Sequence, residues 1–188
     1  MPPATSRAAE GFDRRSFTVA EILAMQSAGI LDETENFELI EGEIVPMSPK
    51  LHIHERIKSQ IGIAMAKACP GELTMGFESS TFLSPVTFIE PDLSLYPLKL
   101  RTDEVKGSDI ILAIEVAVSS LAYDRGLKAK IYARYGVREL WVIDAVQRRT
   151  FIHCGPSGDG WTSITEHGPE FVLTIAALPA FSIQLSAI

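Results

Sequence analysis

Two acidic residues in the middle of the chain have the types and spacing that metal-assisted phosphodiester chemistry requires. Asp92 follows Pro91 at the start of an alternating segment, and Glu115 lies within the apolar run Ile110–Val116. An ionised carboxylate among apolar side chains is costly unless it is paired or binds a metal. Two converging carboxylates suit Mg²⁺, a hard cation that prefers oxygen ligands.

Such a site also uses a cationic side chain, and helix periodicity alone does not choose which lysine supplies it. Leu127 and Ile131 define the predicted buried stripe of the helix that follows Glu115. Lys128 and Lys130 flank this stripe on opposite edges, about equally far from its centre. Either lysine can bury its stem at the rim of a core and still reach a site, so both remain candidates.

One edge of the same helix carries a row of polar residues at four-residue spacing. Asp124, Lys128 and Tyr132 stand at i, i+4 and i+8, so Asp124 and Lys128 are spaced to form a pair. An ordinary solvated helix charge is the alternative explanation for Lys128, and the spacing does not decide between the two.

Apolar periodicity and turn residues predict the elements that must position these side chains. An N-terminal helix comes first, followed by a hairpin with Gly42 in its turn and a helix over 53–68. The strand 110–116, the helix 121–135 and the strand 140–143 form a crossover that places its two strands in parallel. This order predicts an α/β (α+β) domain in which helices flank a central mixed sheet, with the N-terminal helix and hairpin added to it.

Composition limits the class of protein. A chain of 188 residues with 46% hydrophobic residues fits one globular domain, which we place at 16–188 after a disordered tail at 1–15. Two cysteines provide no disulfide framework, and the start has no apolar signal segment, so a cytoplasmic location is expected. No apolar run approaches the roughly 18 residues that a membrane span needs.

Charge is distributed unevenly along the chain. The net charge of −7 argues mildly against broad affinity for nucleic acid. Residues 121–150, however, hold seven basic and three acidic residues, a balance of +4. This basic zone beside two buried carboxylates is suited to meet a phosphate backbone, whereas a solvated surface is the ordinary alternative.

Several motifs together match a known pattern. They are Phe37-Glu38-Leu39-Ile40-Glu41-Gly42-Glu43, Met47-Ser48-Pro49, His54, Pro91-Asp92, Ile114-Glu115-Val116, Ser119-Ser120-Leu121-Ala122-Tyr123-Asp124-Arg125-Gly126, Lys128, Tyr132, Gly136-Val137 and Trp141-Val142-Ile143-Asp144. With these motifs the chain resembles a restriction-endonuclease-like bacterial family, often left as a domain of unknown function, of the PD-(D/E)XK nuclease superfamily. The resemblance runs from about Phe17 to the C-terminus, and its block from Tyr123 to Asp144 is the specific part.

The resemblance also implies which lysine acts. The superfamily pattern has a lysine two residues after the second acid, where this chain has Ala117. The family that the chain resembles lacks that lysine as well and supplies one from the following helix, at the position that matches Lys128. The resemblance thus implies a restriction-endonuclease-like core and an endonuclease that depends on Mg²⁺ or Mn²⁺ and cleaves nucleic acid, with DNA as the expected substrate.

Roles for individual residues follow from this implied function. Asp92 and Glu115 are expected to hold the metal, with the carbonyl of Val116 as an extra ligand. Lys128 is expected to orient the attacking water and to offset the charge that builds on the phosphorus centre. Three further residues are expected to support the site: His54, Glu38 and Tyr132. A homodimer is the expected assembly.

Two other functions remain open at this level. The fold can persist as a binding or assembly module without catalysis, which the acidic balance and the displaced lysine favour. A cupin-like metal site through His52 and His54 is a weaker alternative, and a helix that starts at these residues would exclude it.

Overall fold

A computed structural model describes residues 15–32 and 35–188 of the chain. Two units can be distinguished in it. The first runs up to Met47 and includes Ser84–Phe88, and the second comprises Ser48–Leu83 and Ile89–Ile188. Except for Arg15, the predicted tail at 1–15 lies outside the described residues. The assignment of 16–188 to a single domain stays a prediction.

Strands predominate over helices along the described chain. The helices are α1 (Val19–Ser27), α2 (His52–Ala68), α3 (Leu121–Tyr123), a π-helical turn (Asp124–Lys128), α4 (Ala129–Arg134) and three 3-10 turns (Thr102–Glu104, Gly107–Asp109, Leu185–Ala187). The strands are β1 (Phe37–Ile40), β2 (Glu43–Pro46), β3 (Leu73–Phe77), β4 (Thr81–Ser84), β5 (Thr87–Ile89), β6 (Leu93–Pro97), β7 (Leu112–Ala117), β8 (Glu139–Asp144), β9 (Arg149–Ser157), β10 (Gly160–His167), β11 (Leu173–Ile175) and β12 (Leu178–Ile183). Within the described ranges, no helix has both the length and the apolar composition that crossing a membrane requires.

Local sequence signals determine the start of the first unit. The Thr18 side chain accepts a hydrogen bond from the Glu21 N–H at 3.2 Å, and the Glu21 carboxylate accepts one from the Thr18 N–H at 2.9 Å. This capping box starts α1, as the sequence predicts. Gly42 turns the β1–β2 hairpin with φ of 86°, and a Cβ there would lie 2.5 Å from that of Ser16. Only glycine fits this turn.

Strand β1 is buried along its whole length in the first unit. It pairs antiparallel with β2 along its length and with β5 through Leu39 and Phe88. Together with Ile22 and Phe37 these side chains form a small apolar core. Glu38 lies on the same strand and is buried.

The second unit is built on a six-stranded sheet with the order β10-β9-β8-β7-β6-β3. Strands β7 and β8 are parallel, and the other neighbours are antiparallel. The parallel pair is the one that the predicted crossover requires. This mixed sheet with flanking helices confirms the fold class expected from the order of elements.

Alternation along β7 directs its side chains to two surfaces. Leu112, Ile114 and Val116 join a large apolar cluster that also holds the buried face of α2 and part of the β11–β12 hairpin. Glu115 points to the opposite face of the sheet because successive side chains in a strand alternate. All six residues of β7 are buried, so Glu115 is a carboxylate in the middle of the sheet.

The crossover helix, which we define as 121–134, is interrupted by the π-helical turn. There the Ala129 N–H donates to the carbonyl of Asp124, five residues earlier. The predicted buried stripe is therefore wrong in one position, since Ile131 is buried but Leu127 is 46% exposed. A π turn uses one residue more than an α turn, which rotates the segment before it by about 100° relative to an uninterrupted α-helix.

Thr150 is a position where the sequence is suboptimal for stability. Its hydroxyl is buried and has no hydrogen-bond partner among the described residues. We expect Thr150→Val to raise the free energy of unfolding by about 1 kcal/mol, because valine has the same shape and removes an unsatisfied polar group. Urea denaturation measures the change. Thr162→Val is the control, since the Thr162 hydroxyl is exposed and donates a hydrogen bond to the Cys154 carbonyl at 3.1 Å. A lower free energy of unfolding in Thr150→Val than in the wild type would contradict the prediction.

His153 should make stability depend on pH. Burial lowers the pKa of His153 below its ordinary 6.5, although hydrogen bonds to the carbonyls of Leu140 and Phe151 oppose the shift. The imidazole of His153 therefore binds a proton more readily in the unfolded chain than in the native one. Its contribution to the free energy of unfolding is complete above about pH 6.5 and is lost as the pH falls toward the pKa of the native state. We expect the free energy of unfolding of His153→Phe to decrease less steeply than that of the wild type as the pH is lowered. An equal pH dependence of the free energy of unfolding in the wild type and in His153→Phe would contradict this role of His153.

Candidate active site

Asp92 lies against the middle of the neighbouring strand. It immediately precedes β6, and β6 pairs with β7 so that Leu93 faces Ile114. The Asp92 carboxylate accepts a hydrogen bond from the Val116 N–H at 2.7 Å through Oδ2. The same oxygen lies 3.0 Å from Nε2 of His54. Glu115 thus lies on β7, and Asp92 lies just before the neighbouring strand β6, fixed to the backbone of the residue that follows Glu115.

Glu115 is paired by two side chains of the crossover helix. Nζ of Lys128 lies 2.9 Å from its Oε1, and the Tyr132 hydroxyl donates a short hydrogen bond to the same oxygen. Glu115 and Lys128 are each at least 95% buried. A buried ion pair of this kind is sensitive to loss of either partner, because the remaining charge would be uncompensated.

The two lysines that periodicity leaves equivalent have different environments. Lys128 is buried against Glu115, whereas Lys130 is exposed. The π turn contributes to this difference, since Lys128 is its last residue and Lys130 follows in α4. The structure therefore places against Glu115 the lysine that the family resemblance indicates.

The donor set is compatible with a divalent metal. The hydrogen bonds from Val116 and His54 to Asp92 both fall on one oxygen, Oδ2. Among the described residues, no three His, Cys, Asp or Glu side chains gather closely enough to hold a metal ion. Mg²⁺ does not need such a cage, because it is commonly bound by one or two carboxylates together with water and substrate phosphates. Val116 contributes its N–H to the site, and a role for its carbonyl stays a prediction.

His54 connects the site to a network of charged residues that sequence reasoning missed. Its Nδ1 lies 3.1 Å from the Glu55 carboxylate, and Glu55 accepts a hydrogen bond from Lys58 at 2.8 Å. Lys58 also forms a short ion pair with Glu78, which Lys50 contacts at 2.7 Å. The helical spacing of His54 and Lys58, four residues apart on the buried side of α2, was an available signal for this network.

Electrostatics within this network favour the charged forms. Burial acts to lower the pKa of His54, but the hydrogen bond and charge of Asp92, helped by Glu55, outweigh it and hold the pKa above 6.5. Burial likewise opposes the charge on Lys58, yet Glu55 and Glu78 raise its pKa. Burial raises the pKa of Glu78, but Lys50 and Lys58 lower it by more, so the pKa lies below its ordinary value. Lys58, Glu55 and Glu78 are therefore charged at neutral pH, and the surroundings of His54 favour its protonated form.

Glu78 combines its ion pairs with an unusual backbone. Its φ of +47° is in the left-handed region, which costs energy for a residue with a side chain. Its N–H also donates to the carbonyl of Asp92 at 3.3 Å. Glu78 therefore contacts both the backbone of Asp92 and the lysines of the network. A left-handed glutamate has no sequence signal comparable with that of glycine, so this role was not predictable.

The remaining predicted residues are placed as follows. Tyr132 contacts Glu115 directly and His54 contacts Asp92 directly. Glu38 is buried on β1, in the first unit, and its supporting role stays a prediction. His52 is exposed and is the first residue of α2, so the helix begins where a cupin-like site would need a strand. This observation contradicts the cupin-like alternative.

Comparisons with known proteins agree with this architecture. The crystal structure of a protein from Anabaena variabilis ATCC 29413, described as a putative nuclease belonging to DUF820, aligns with a TM-score of 0.68 at 16% sequence identity. The alignment covers 90% of this chain and 96% of that one. The fold is that of a restriction-endonuclease-like nuclease. None of the curated proteins matches the chain.

The family itself follows from a sequence model. The model of the family Uma2, described as "Putative restriction endonuclease", matches residues 19–186. The chain therefore belongs to the Uma2 family, and this confirms the family resemblance that its motifs indicate.

Proposed function

We propose that the chain is a divalent-metal-dependent endonuclease that hydrolyses phosphodiester bonds of DNA. The observation that carries this proposal is the placement of two acids and a lysine on neighbouring elements: Asp92 accepts a hydrogen bond at 2.7 Å from the N–H of Val116, the residue after Glu115, and Lys128 contacts Glu115 at 2.9 Å. Two acids and a lysine at one place on a sheet are the groups that this chemistry uses. Membership of the Uma2 family supports the proposal.

The roles of the residues follow from their charge and position. Asp92 and Glu115, with the Val116 carbonyl, would hold Mg²⁺ or Mn²⁺. The bound ion would supply positive charge that polarises a phosphoryl oxygen and acidifies a water molecule. Lys128 would orient the attacking water and offset the negative charge that develops on the phosphoryl oxygens.

The other residues hold this arrangement in place. Tyr132 donates to Glu115 and so orients its carboxylate. His54 does the same for Asp92. Glu38 is proposed as a further supporting residue. Groups that orient metal ligands in this way commonly contribute tenfold to hundredfold to metal affinity or activity, an order-of-magnitude range. We further propose that residues 16–188 form one nuclease domain. The expected assembly is a homodimer, and the expected location is the cytoplasm.

Cleavage of nucleic acid tests the proposal. The purified chain is incubated with supercoiled plasmid, a double-stranded oligonucleotide and an RNA of the same sequence, each with Mg²⁺, Mn²⁺ or EDTA. We expect metal-dependent cleavage of DNA that is lost in Asp92→Ala and Lys128→Ala and is retained in Lys130→Ala, where the lysine is exposed on the same helix. Equal background activity in all four proteins would refute catalysis, and cleavage of RNA alone would change the substrate.

A binding or assembly module without catalysis is the second candidate. It is favoured by the buried pair of Glu115 and Lys128, because the lysine already neutralises a carboxylate that the metal would use. Calorimetric titration with Mg²⁺ and Mn²⁺, with and without DNA, separates the candidates. Metal binding that disappears in Asp92→Ala supports the endonuclease, and the lack of any metal binding supports the module.

A further inference from the structure

The π-helical turn brings Ser120, at the start of the crossover helix, and three polar residues of that helix onto nearly one face. Ser120, Asp124, Lys128 and Tyr132 follow each other at intervals of four residues. In an uninterrupted α-helix such a row drifts by about 40° per step, or about 120° from its first to its last member. The extra residue of a π turn removes about 100° of this drift, which leaves the four positions roughly in line.

Contacts at both ends of the row agree with this alignment. The Ser120 hydroxyl donates to the Asp124 carboxylate at 2.6 Å, and Lys128 and Tyr132 both contact Glu115. Asp124 is 4% exposed and Lys128 is 3% exposed. The sequence motif that contains Ser120 and Asp124 thus lies beside the site without having a place in the proposed chemistry.

We infer that Asp124 is a positioning residue for Lys128. Asp124 carries a buried carboxylate one step before Lys128 in the row, and the Ser120 hydroxyl holds that carboxylate in orientation. A buried ammonium group needs compensating negative charge. If Glu115 is engaged with a cation, as the proposed function requires, Asp124 is the acid on the same helix that still holds Lys128 toward the site.

The π turn aligns the two ends of this row. In an uninterrupted α-helix of the same sequence, Ser120 would lie about 120° from Tyr132, although Asp124 and Lys128, at i and i+4, would still be neighbours. Gly126 lies inside the turn, and a Cβ added there would meet no atom within 4 Å. Its position therefore offers two matched variants: Gly126→Ala keeps the length of the turn, and deletion of Gly126 restores the α-helical residue count.

The first test measures the reactivity of Lys128 and does not depend on catalysis. The full chain is treated with a low concentration of an amine-acetylating reagent, and the modification of each lysine is quantified by mass spectrometry. In Asp124→Asn we expect the modification of Lys128 to accelerate by about tenfold or more, the factor expected when an interaction with a charged group is lost. Buried Lys58 and exposed Lys130 are the internal references and should not change.

The turn itself is tested in the same way. Gly126→Ala should leave the modification of Lys128 unchanged, and so should deletion of Gly126, because removal of the one extra residue of a π turn keeps the relative phase of the segments on either side. Ser120→Ala should give a smaller increase than Asp124→Asn, and Asp124→Glu should restore part of the protection. Unchanged reactivity of Lys128 in Asp124→Asn would overturn the inference, and so would an equal rise at Lys58, which would indicate general loosening of the fold.

The second test is kinetic and separates this inference from the proposed function. If the wild-type chain cleaves DNA, Asp124→Asn should lower kcat by roughly tenfold to hundredfold with little change in KM, the effect expected of a misplaced catalytic group. Full activity in Asp124→Asn would overturn the inference and leave the proposed function intact. A wild-type chain that cleaves nothing would overturn the proposed function, and the acetylation pattern would still decide the role of Asp124.

Discussion

Asp92→Asn is expected to reduce metal-dependent cleavage by about a thousandfold, because a catalytic metal supplies several kcal/mol of charge stabilisation and each 1.4 kcal/mol is about a factor of ten. The substitution keeps the shape of the side chain and can keep the hydrogen bond from the Val116 N–H. What it removes is the negative charge that would bind the metal. Asparagine should therefore preserve the fold and lose the ion.

Two measurements together check this prediction. Calorimetry should show weaker binding of Mn²⁺ to Asp92→Asn, and the cleavage rate at saturating Mn²⁺ should remain low. Asp103→Asn is the matched control, because Asp103 is exposed and pairs only locally with Arg101 within the described structure. Wild-type rates in Asp92→Asn at any metal concentration would show that this carboxylate is not a metal ligand.

Lys128→Met is expected to destabilise the protein without metal and to strengthen its response to metal. The substitution leaves the buried Glu115 carboxylate without the ammonium group that lies 2.9 Å away. Removal of one partner of a buried ion pair typically costs about 3–5 kcal/mol of the free energy of unfolding. Methionine keeps much of the apolar length of the side chain, so the cost should arise mainly from the charge.

The metal response of this variant distinguishes charge from packing. A cation that binds the native state stabilises it in proportion to the logarithm of its concentration relative to the dissociation constant. Because Lys128 no longer competes for Glu115, Mg²⁺ should raise the melting temperature of Lys128→Met more than that of the wild type, while cleavage is lost. Melting curves in EDTA and in Mg²⁺ measure this, with Lys130→Met as the exposed control. Equal Mg²⁺ shifts in the variant and the wild type would show that lysine and metal do not compete.

The balance of buried charges in the site explains why substitutions of Asp92 and Lys128 are expected to have the largest effects. Asp92 and Glu115 are buried acids whose charges are compensated from different elements, His54 of α2 and Lys128 of the crossover helix. Buried charges are tolerated only when such partners are present. Each substitution therefore disturbs a balance that includes the fold as well as the chemistry.

Much of the architecture follows from local patterns in the sequence. The capping box at Thr18, the turn at Gly42 and the crossover between β7 and β8 are present as predicted. Each depends on neighbouring residues, through hydrogen bonds at a helix end, a backbone conformation that glycine allows, or a buried apolar run. Such features are decided within a few residues, so they can be recognised without the rest of the chain.

The charged network around His54 shows where local patterns are insufficient. Lys58 and Glu55 share one turn of α2, but Glu78 reaches them from the end of β3, twenty residues after Lys58 in the chain. Its left-handed backbone is stabilised by contacts that only the folded chain provides. Pairing between distant charges depends on the three-dimensional arrangement of α2 and β3, which no spacing in the sequence specifies.

By itself, the sequence predicted that Asp92 and Glu115 are acids of neighbouring strands, and it offered Lys128 and Lys130 of the following helix as candidate partners. The family pattern favoured Lys128 over Lys130, but helical periodicity left them equivalent and predicted a buried Leu127. The tertiary structure decided these points, since Lys128 is buried against Glu115 and both Lys130 and Leu127 are exposed. The physical reason is the π turn: its extra residue changes the phase of the helix, and packing of the helix against the sheet, not residue spacing, selects where that residue is accommodated.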